Sequence, residues 1–355
     1  MQQVLERFQQ QVRDASAAGT PLQVRGGGTK DWYGQVPRGS LLDTRAYAGV
    51  VDYDPSELVI TARCGTPLAE LEALLAAHNQ MFAFEPPHWG DGATIGGVVA
   101  AGISGPRRAT SGAVRDFMLG AVLMDGGGEV LHFGGQVMKN VAGYDVSRLL
   151  AGSLGTLGLL LEVSIKVLPK PFAEVTRRLT MTHAEAITQL NHWGGQPLPI
   201  SASVWCDDQL TVRLSGARAA VAAAALKIGG EAVVQEPATQ FWRDIREQDH
   251  TFFADAHRAL WRLSVPSIAL PLALPGAQLI EWGGAQRWLQ TEVTAAEVRA
   301  AAAAAGGHAT QYIGDDKAVG VFHPLAPAVA AIHRRLKASF DPAGIFNPGR
   351  LYPDL

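Results

Sequence analysis

Three glycine-rich stretches punctuate the first half of the chain, and they constrain its fold more than any other feature. They read VRGGGTK at 24–30, EPPHWGDGATIGGVVAAGISGPRRATSGAVRD at 85–116 and AGSLGTLG at 151–158. Glycine loses more conformational freedom on ordering than any other residue, so such clusters mark backbone that turns tightly or approaches something closely. In AGSLGTLG the glycines stand at 152, 155 and 158, which is not the G-x-G-x-x-G dinucleotide fingerprint. In VRGGGTK the consecutive backbone N–H groups can form a nest for a phosphate. The order of a P-loop is absent, and a plain glycine-rich turn is the competing reading. The second stretch adds hydroxyls at Thr94, Ser104 and Ser111 and a basic group of Arg107, Arg108 and Arg115, for which solvated surface arginines are the bland alternative. In the third, Gly152 alone is explained as the C-cap of a short helix opened by Asp145.

Composition limits what such loops serve. A chain of 355 residues is too long for one ordinary core, which predicts two domains. With 47% hydrophobic and 18% charged residues it reads as folded rather than disordered. The formal net charge of −3, without basic runs, argues against a nucleic-acid partner. The N-terminal MQQVLERFQQQV places Val4, Leu5, Phe8 and Val12 on one helical face and lacks the pattern of an export signal. The apolar run from Ser267 to Ile280 is shorter than the ~20 residues that cross a bilayer and is broken by Pro271 and Pro275. No transmembrane segment is expected, and the protein is placed in the cytoplasm, with membrane association only through partners. Cys64 and Cys206 lack a C-x-x-C companion, so neither a metal site nor a disulfide scaffold is expected.

The periodicities give an α+β fold. ELVITARCG (57–65) reads as a buried strand feeding a helix with Thr66 as N-cap, Pro67 at the first position and Leu68, Leu71, Leu74 and Leu75 on its apolar face. The run 117–135 reads as a hairpin turning at Asp125–Gly128. Strict alternation from Leu161 to Val167 predicts a half-buried strand, ended by the PKP at 169–171. Beyond it, Thr182 with Glu185 and Thr294 with Glu297 have capping-box spacing, and Gly-Gly pairs at 194–195, 229–230 and 306–307 stop three helices. SVWCDDQLTVRL (203–214) reads as a hairpin, so this second part is expected to be an antiparallel sheet with helices on one face. A last helix spans about 326–340.

One extended ligand touching all three glycine-rich loops is more economical than three separate ligands. A dinucleotide such as FAD fits, because its pyrophosphate takes backbone N–H donors and its flat rings take closely approaching backbone.

RGGGTK, ATIGGVVAAGISGPRR, KNVAGYD, GSLGTLG and the terminal DPAGIFNPGR, in that order, resemble the FAD-binding domain of the vanillyl-alcohol-oxidase and glycolate-oxidase flavoproteins, the PCMH-type domain. The EPPHWG, SGPRR and GGQVMKNVAGYD variants are most similar to the FAD-binding subunit of bacterial glycolate oxidase complexes. The resemblance implies a PCMH-type domain of two α/β subdomains over 1–170, an antiparallel-sheet-plus-helices cap domain over 171–340, and a C-terminal tail over 341–355 that returns toward the flavin. It implies that Gly26, Gly27, Gly28 and Thr29 cradle the pyrophosphate and that Thr94, Ile95, Gly96 and Gly97 line the ribityl chain and flavin. Ser104, Ser111 and Gly112 are implied close by, Gly155, Thr156, Leu157 and Gly158 on the adenine side, and Asn347 near the flavin.

Departures from the pattern carry information. Thr29 stands where members with covalent flavin often have histidine, and no cysteine lies between 85 and 116, so non-covalent FAD is expected. Leu154 stands where hydroxy-acid-oxidising relatives commonly have glutamate, and their H-x-G-D-G-N segment has no counterpart. His308, His323 and His333 are scattered and read as structural, which leaves no catalytic residue assigned. The implied role is a flavin-holding subunit of a glycolate (2-hydroxy acid) dehydrogenase complex that relays electrons, beside a related catalytic flavin subunit and an iron–sulfur subunit. The alternatives are a self-sufficient 2-hydroxy acid dehydrogenase and a purely structural subunit. Arg107, Arg108, Arg115 and Lys139 are candidates, by charge alone, for stabilising a reduced flavin.

Overall fold

The structure, a computed structural model, describes residues 1–135, 145–254, 258–314 and 316–355. It divides into two compact units: residues 1–103, 113–169 and 324–355 form the first, and residues 104–112 with 170–323 form the second. The last helix, Pro327–Phe340, thus groups with the first unit, and the 104–112 segment with the second.

Among its described residues the first unit contains three sheets, the smallest an antiparallel pairing of Gln80–Met81 with Leu168–Pro169. A parallel pair joins Leu22–Arg25 to Ser40–Asp43. A five-stranded antiparallel sheet runs in the order Val50–Asp54, Val59–Arg63, Leu159–Lys166, Met118–Met124 and Val130–Gly134. The last two strands are the expected hairpin, with its turn closed by Asp125 Oδ1 accepting from the N–H groups of Gly127 and Glu129. The strand carrying Leu161 to Lys166 is central in its sheet, with Leu161, Val163 and Ile165 buried as expected. On its polar face Glu162 and Lys166 are partly exposed, and Ser164, 8% exposed, pairs with Thr61 of the adjacent strand at 2.8 Å.

Two cores flank these strands. In one, Phe8, Val12 and Ala15 of the N-terminal helix Gln2–Ala18 pack with Leu22, Leu42, Ile345 and Phe346. In the other, Leu68, Leu71 and Leu75 of the helix Leu68–Ala77 pack with Ile60, Val163 and Ile165. That helix starts one residue later than its sequence suggests. Pro67 takes the N-cap position, and the Thr66 hydroxyl instead donates to Arg63 O at 2.7 Å and accepts from Gly49 N–H at 2.8 Å.

The second unit is an eight-stranded antiparallel sheet. Ile200–Cys206 and Gln209–Gly216 form the expected hairpin, with Asp207 and Asp208 at φ 49° and 57° as a two-residue turn that matches strand twist. Both capping boxes form, at Thr182 with Glu185 and at Thr294 with Glu297. Leu210, Val212 and Leu214 pack under the helices His183–Gly194 and Arg218–Ile228. A third helix, Gln235–Glu247, departs from the one-face expectation: its Trp242 donates to Thr176 Oγ1 at 2.9 Å, whereas the neighbouring Val175 joins the other face.

Candidate functional site

The site grows from the Leu22–Arg25 strand. On one side that strand pairs with Ser40–Asp43; on the other it meets the tail, with Leu22 N–H donating to Ile345 O at 2.7 Å and Asn347 N–H to Leu22 O at 2.9 Å. Asn347 sits at φ 40°, a left-handed backbone that asparagine tolerates better than most residues. Its Oδ1 accepts from Val24 N–H at 2.9 Å, and its Nδ2 donates to Leu154 O at 2.7 Å. One buried amide therefore joins the first strand, the tail and AGSLGTLG.

Leaving the strand, the chain enters Gly26–Thr29. Among the described residues, no backbone hydrogen bond uses the N–H groups of Gly26, Gly27, Gly28 or Thr29. These four residues are partly exposed, and consecutive N–H groups not used by the fold form a donor set of the kind that binds anions. Beyond them the Asp31 carboxylate accepts from Arg25 Nε at 2.6 Å. The Arg350 guanidinium donates to the carbonyls of Asp31 at 2.8 Å and Lys30 at 3.3 Å, and also to Gln35 O. Burial pushes Arg350 down to about 10, opposed by Asp31, so it stays a cation at neutral pH. Arg25, Lys30 and Arg350 line the same depression as the four free N–H groups.

The second loop meets the first directly. A Cβ added to Gly27 would lie 1.5 Å from Gly92 O, and one added to Gly26 would lie 2.3 Å from Thr94 Oγ1. Thr94 caps the helix Ile95–Ala101, its Oγ1 accepting from Gly97 N–H at 3.3 Å. The third loop runs along the end of that helix, where Gly152 N–H donates to Val99 O at 2.9 Å and Leu154 N–H to Ala100 O at 2.8 Å. Gly155, at φ 68°, would place a Cβ 2.8 Å from Asn347 Nδ2. These glycines are thus required for loop-on-loop packing. The cleft is what the packed loops leave between them.

That cleft consists of two adjoining depressions of about 90 and 60 Å³, which share Val24, Gly26, Gly97, Ala100, Leu154 and Asn347. Gly27, Gly28, Thr29 and Thr94 line the first, and Gly96, Gly155, Gly158 and Cys64 the second. Other expected residues lie elsewhere. Ile95 is fully buried in the core. Thr156 and Leu157 line a separate groove of about 370 Å³ beside the Pro327–Phe340 helix, together with Arg115 and His333. There the buried Lys337 amine donates to Thr156 O at 2.7 Å, Phe346 O at 2.8 Å and Asp341 Oδ2 at 2.7 Å. Burial lowers its pKa, and the Asp341 carboxylate opposes that shift.

Ser104, Ser111 and Gly112 belong to the second unit. So do Arg107, which donates to Glu174 Oε2 at 2.9 Å, and Arg108, whose guanidinium stands 4.3 Å over the Trp282 ring. His308 and His323 also belong there, with ring centroids 6.3 Å apart and both pKa values lowered chiefly by burial. Lys139 and most of KNVAGYD lie outside the described residues. Sequence reasoning missed Val24, Ala100 and Arg350 as cleft residues. For Arg350 the available clue was its position at the end of the FNPGR tail motif.

The donor set suits a pyrophosphate: four free N–H groups in a row, with Lys30, Arg350 and the Asp31-paired Arg25 beside them. Residues 5–134 match the family model described as FAD binding domain, and residues 279–351 match FAD linked oxidases, C-terminal domain. Glycolate oxidase subunit GlcE of Escherichia coli (strain K12) is 48% identical over 98% of this chain and 97% of its own length. The chain belongs to the glycolate oxidase subunit GlcE family. Glycolate oxidase subunit GlcD of Bacillus subtilis (strain 168) is 30% identical over 48% of this chain and 36% of its own length. A D-lactate dehydrogenase of Archaeoglobus fulgidus is 33% identical over 45% of the chain and 36% of that protein. Among solved structures, an alkyldihydroxyacetonephosphate synthase shares the fold with a TM-score of 0.67 at 16% identity, covering 97% of this chain and 74% of that one. The α+β architecture is thus that of the FAD-linked oxidases. No helix among the described residues is long and apolar enough to cross a membrane.

Proposed function

We propose that this chain holds FAD non-covalently and acts as the flavin-bearing relay subunit of a glycolate oxidase complex, beside a GlcD-like subunit that oxidises the 2-hydroxy acid and an iron–sulfur subunit that carries electrons onward. The observation that carries this reading is the run of free N–H groups from Gly26 to Thr29 with Arg25, Lys30 and Arg350 beside it. Those donors hold the pyrophosphate, and Lys30 and Arg350 offset its charge, Arg25 being paired with Asp31. Gly97 and Ala100 keep the floor of the cleft low enough for a close backbone approach, and Asn347 fixes the third wall. Bound FAD supplies two-electron acceptance with one-electron release.

Two features favour non-covalent attachment. Thr29 offers no imidazole, and burial pushes the Cys64 thiol well above its usual range, which keeps it neutral and a poor nucleophile. Leu154 supports a relay over a self-sufficient enzyme. It puts an isobutyl group on the wall of the cleft and brings no carboxylate there. Anaerobic mixing of the FAD-loaded chain with glycolate or D-lactate tests the assignment. The flavin absorbance is expected to persist with the isolated chain and to bleach once the partner subunits are added. Prompt bleaching of the isolated chain would show that it oxidises the substrate itself.

A further inference from the structure

A buried ion pair of the first unit stands outside the cofactor cleft and yet holds two of the segments that form its walls. Lys337, 8% exposed, and Asp341, 1% exposed, lie one turn apart where the Pro327–Phe340 helix ends. An ammonium carries three hydrogens. All three are used here, toward Asp341 Oδ2 at 2.7 Å, Thr156 O at 2.7 Å and Phe346 O at 2.8 Å. The Asp341 carboxylate in turn accepts from Phe346 N–H at 2.8 Å and from Ile345 N–H at 3.1 Å. Phe346 is therefore held through its N–H by the acid and through its carbonyl by the base.

Both carbonyls adjoin residues that line the cleft: Thr156 follows Gly155, and Phe346 precedes Asn347. Thr156 is 2% exposed and Phe346 fully buried, and among the described residues no backbone N–H donates to either carbonyl. The lysine satisfies both. On the cleft side, Asn347 Nδ2 joins the same two segments by donating to Leu154 O at 2.7 Å. The third loop and the tail are thus pinned at two points, which fixes their orientation as well as their distance. Buried ion pairs are often replaceable by apolar side chains without loss of stability, so packing alone does not call for a lysine here. An apolar side chain of similar length fills the volume but cannot bond carbonyls on two separate segments.

We propose, on the reading of the cleft as an FAD site, that Lys337 is a positioning residue of that site: acting through Thr156 and Phe346, its ammonium sets how Gly155 and Asn347 stand on the cleft wall. The test is titration of FAD into the full chain without denaturant, with the visible circular dichroism of the flavin read at saturation and the urea midpoint measured alongside. Lys337→Met is expected to bind FAD about 10- to 100-fold more weakly, as loss of hydrogen bonds from a charged donor implies, and to alter the dichroism of the bound flavin. Lys337→Arg keeps a cation with several donors, and the groove of about 370 Å³ that Lys337 lines gives it room, so binding within about threefold of wild type is expected. Leu75→Ala, a fully buried truncation near the end of the Leu68–Ala77 helix, is expected to lower the urea midpoint and leave affinity and dichroism at wild-type values. If Lys337→Met does not fold, Lys337→Gln, which keeps two N–H donors but no charge, takes its place with the same expected direction. Wild-type affinity and dichroism in the uncharged variant, a loss no greater than that of Leu75→Ala, or a Lys337→Arg chain as weak as the uncharged variant would overturn the proposal and leave the cleft assignment intact. A wild-type chain that takes up no FAD would overturn both.

Discussion

Asn347 connects three segments that are distant in sequence, and its two amide atoms meet groups that water would otherwise have to reach: Val24 N–H and Leu154 O. Asn347→Ala leaves both groups unpaired beside a residue 6% exposed, and also puts alanine at φ 40°. The expected loss is about 2–3 kcal/mol, read from the urea midpoint, with flavin content falling in parallel. A midpoint within error of wild type would show that Asn347 is not a structural joint. Asn347 was legible in the sequence only through its tail motif, since the partners that explain it are set by tertiary packing. Leu154 was legible as a departure from a motif. The structure adds that it sits at φ 50° on the wall of the cleft, with its carbonyl fixed by Asn347.

Among the elements, those with local chemistry were the most readable. The capping boxes at Thr182 and Thr294 and the Asp207–Asp208 turn depend on residues within a few positions of one another, and all formed where expected. The alternation from Leu161 marked the buried face of the Leu159–Lys166 strand, whereas the burial of Ser164 on the other face, beside Thr61 of the adjacent strand, is tertiary and left no local signal. The His183–Gly194 helix carries a pH-dependent contribution. His183 stacks on Trp205 with centroids 4.8 Å apart, and burial, reinforced by Arg287, pushes its pKa down to about 4 from 6.5. Because the unfolded chain then binds the proton more readily than the folded one, this contribution is fully present above about pH 6.5 and is lost as pH falls toward 4. With the ring only partly buried, the loss is expected to be about 1 kcal/mol. His183→Phe keeps the stack and removes the titration. Urea unfolding at pH 5 and pH 7.5 should therefore show a smaller difference for the variant than for wild type, and an equal difference would remove His183 as the cause.

For the whole molecule, the structure gives the glycine-rich loops a use that the sequence did not suggest. Their close approaches are mainly to one another, as at Gly27 against Gly92, and the free N–H groups of Gly26–Thr29 are the part left over for a ligand. No periodicity could have shown that Thr156 and Leu157 turn away from the cleft while Gly155 and Gly158 line it. The central claim is that packing of these loops creates an FAD site in this chain. Titration of FAD into the apo chain, followed by flavin fluorescence, tests it most directly. One FAD per wild-type chain, released into the supernatant by acid, and binding at least about 100-fold weaker in Gly27→Ala, where the added methyl drives the loops apart, is the expected result. A wild-type chain that binds no FAD, or a Gly27→Ala chain that binds it as tightly as wild type, would contradict it.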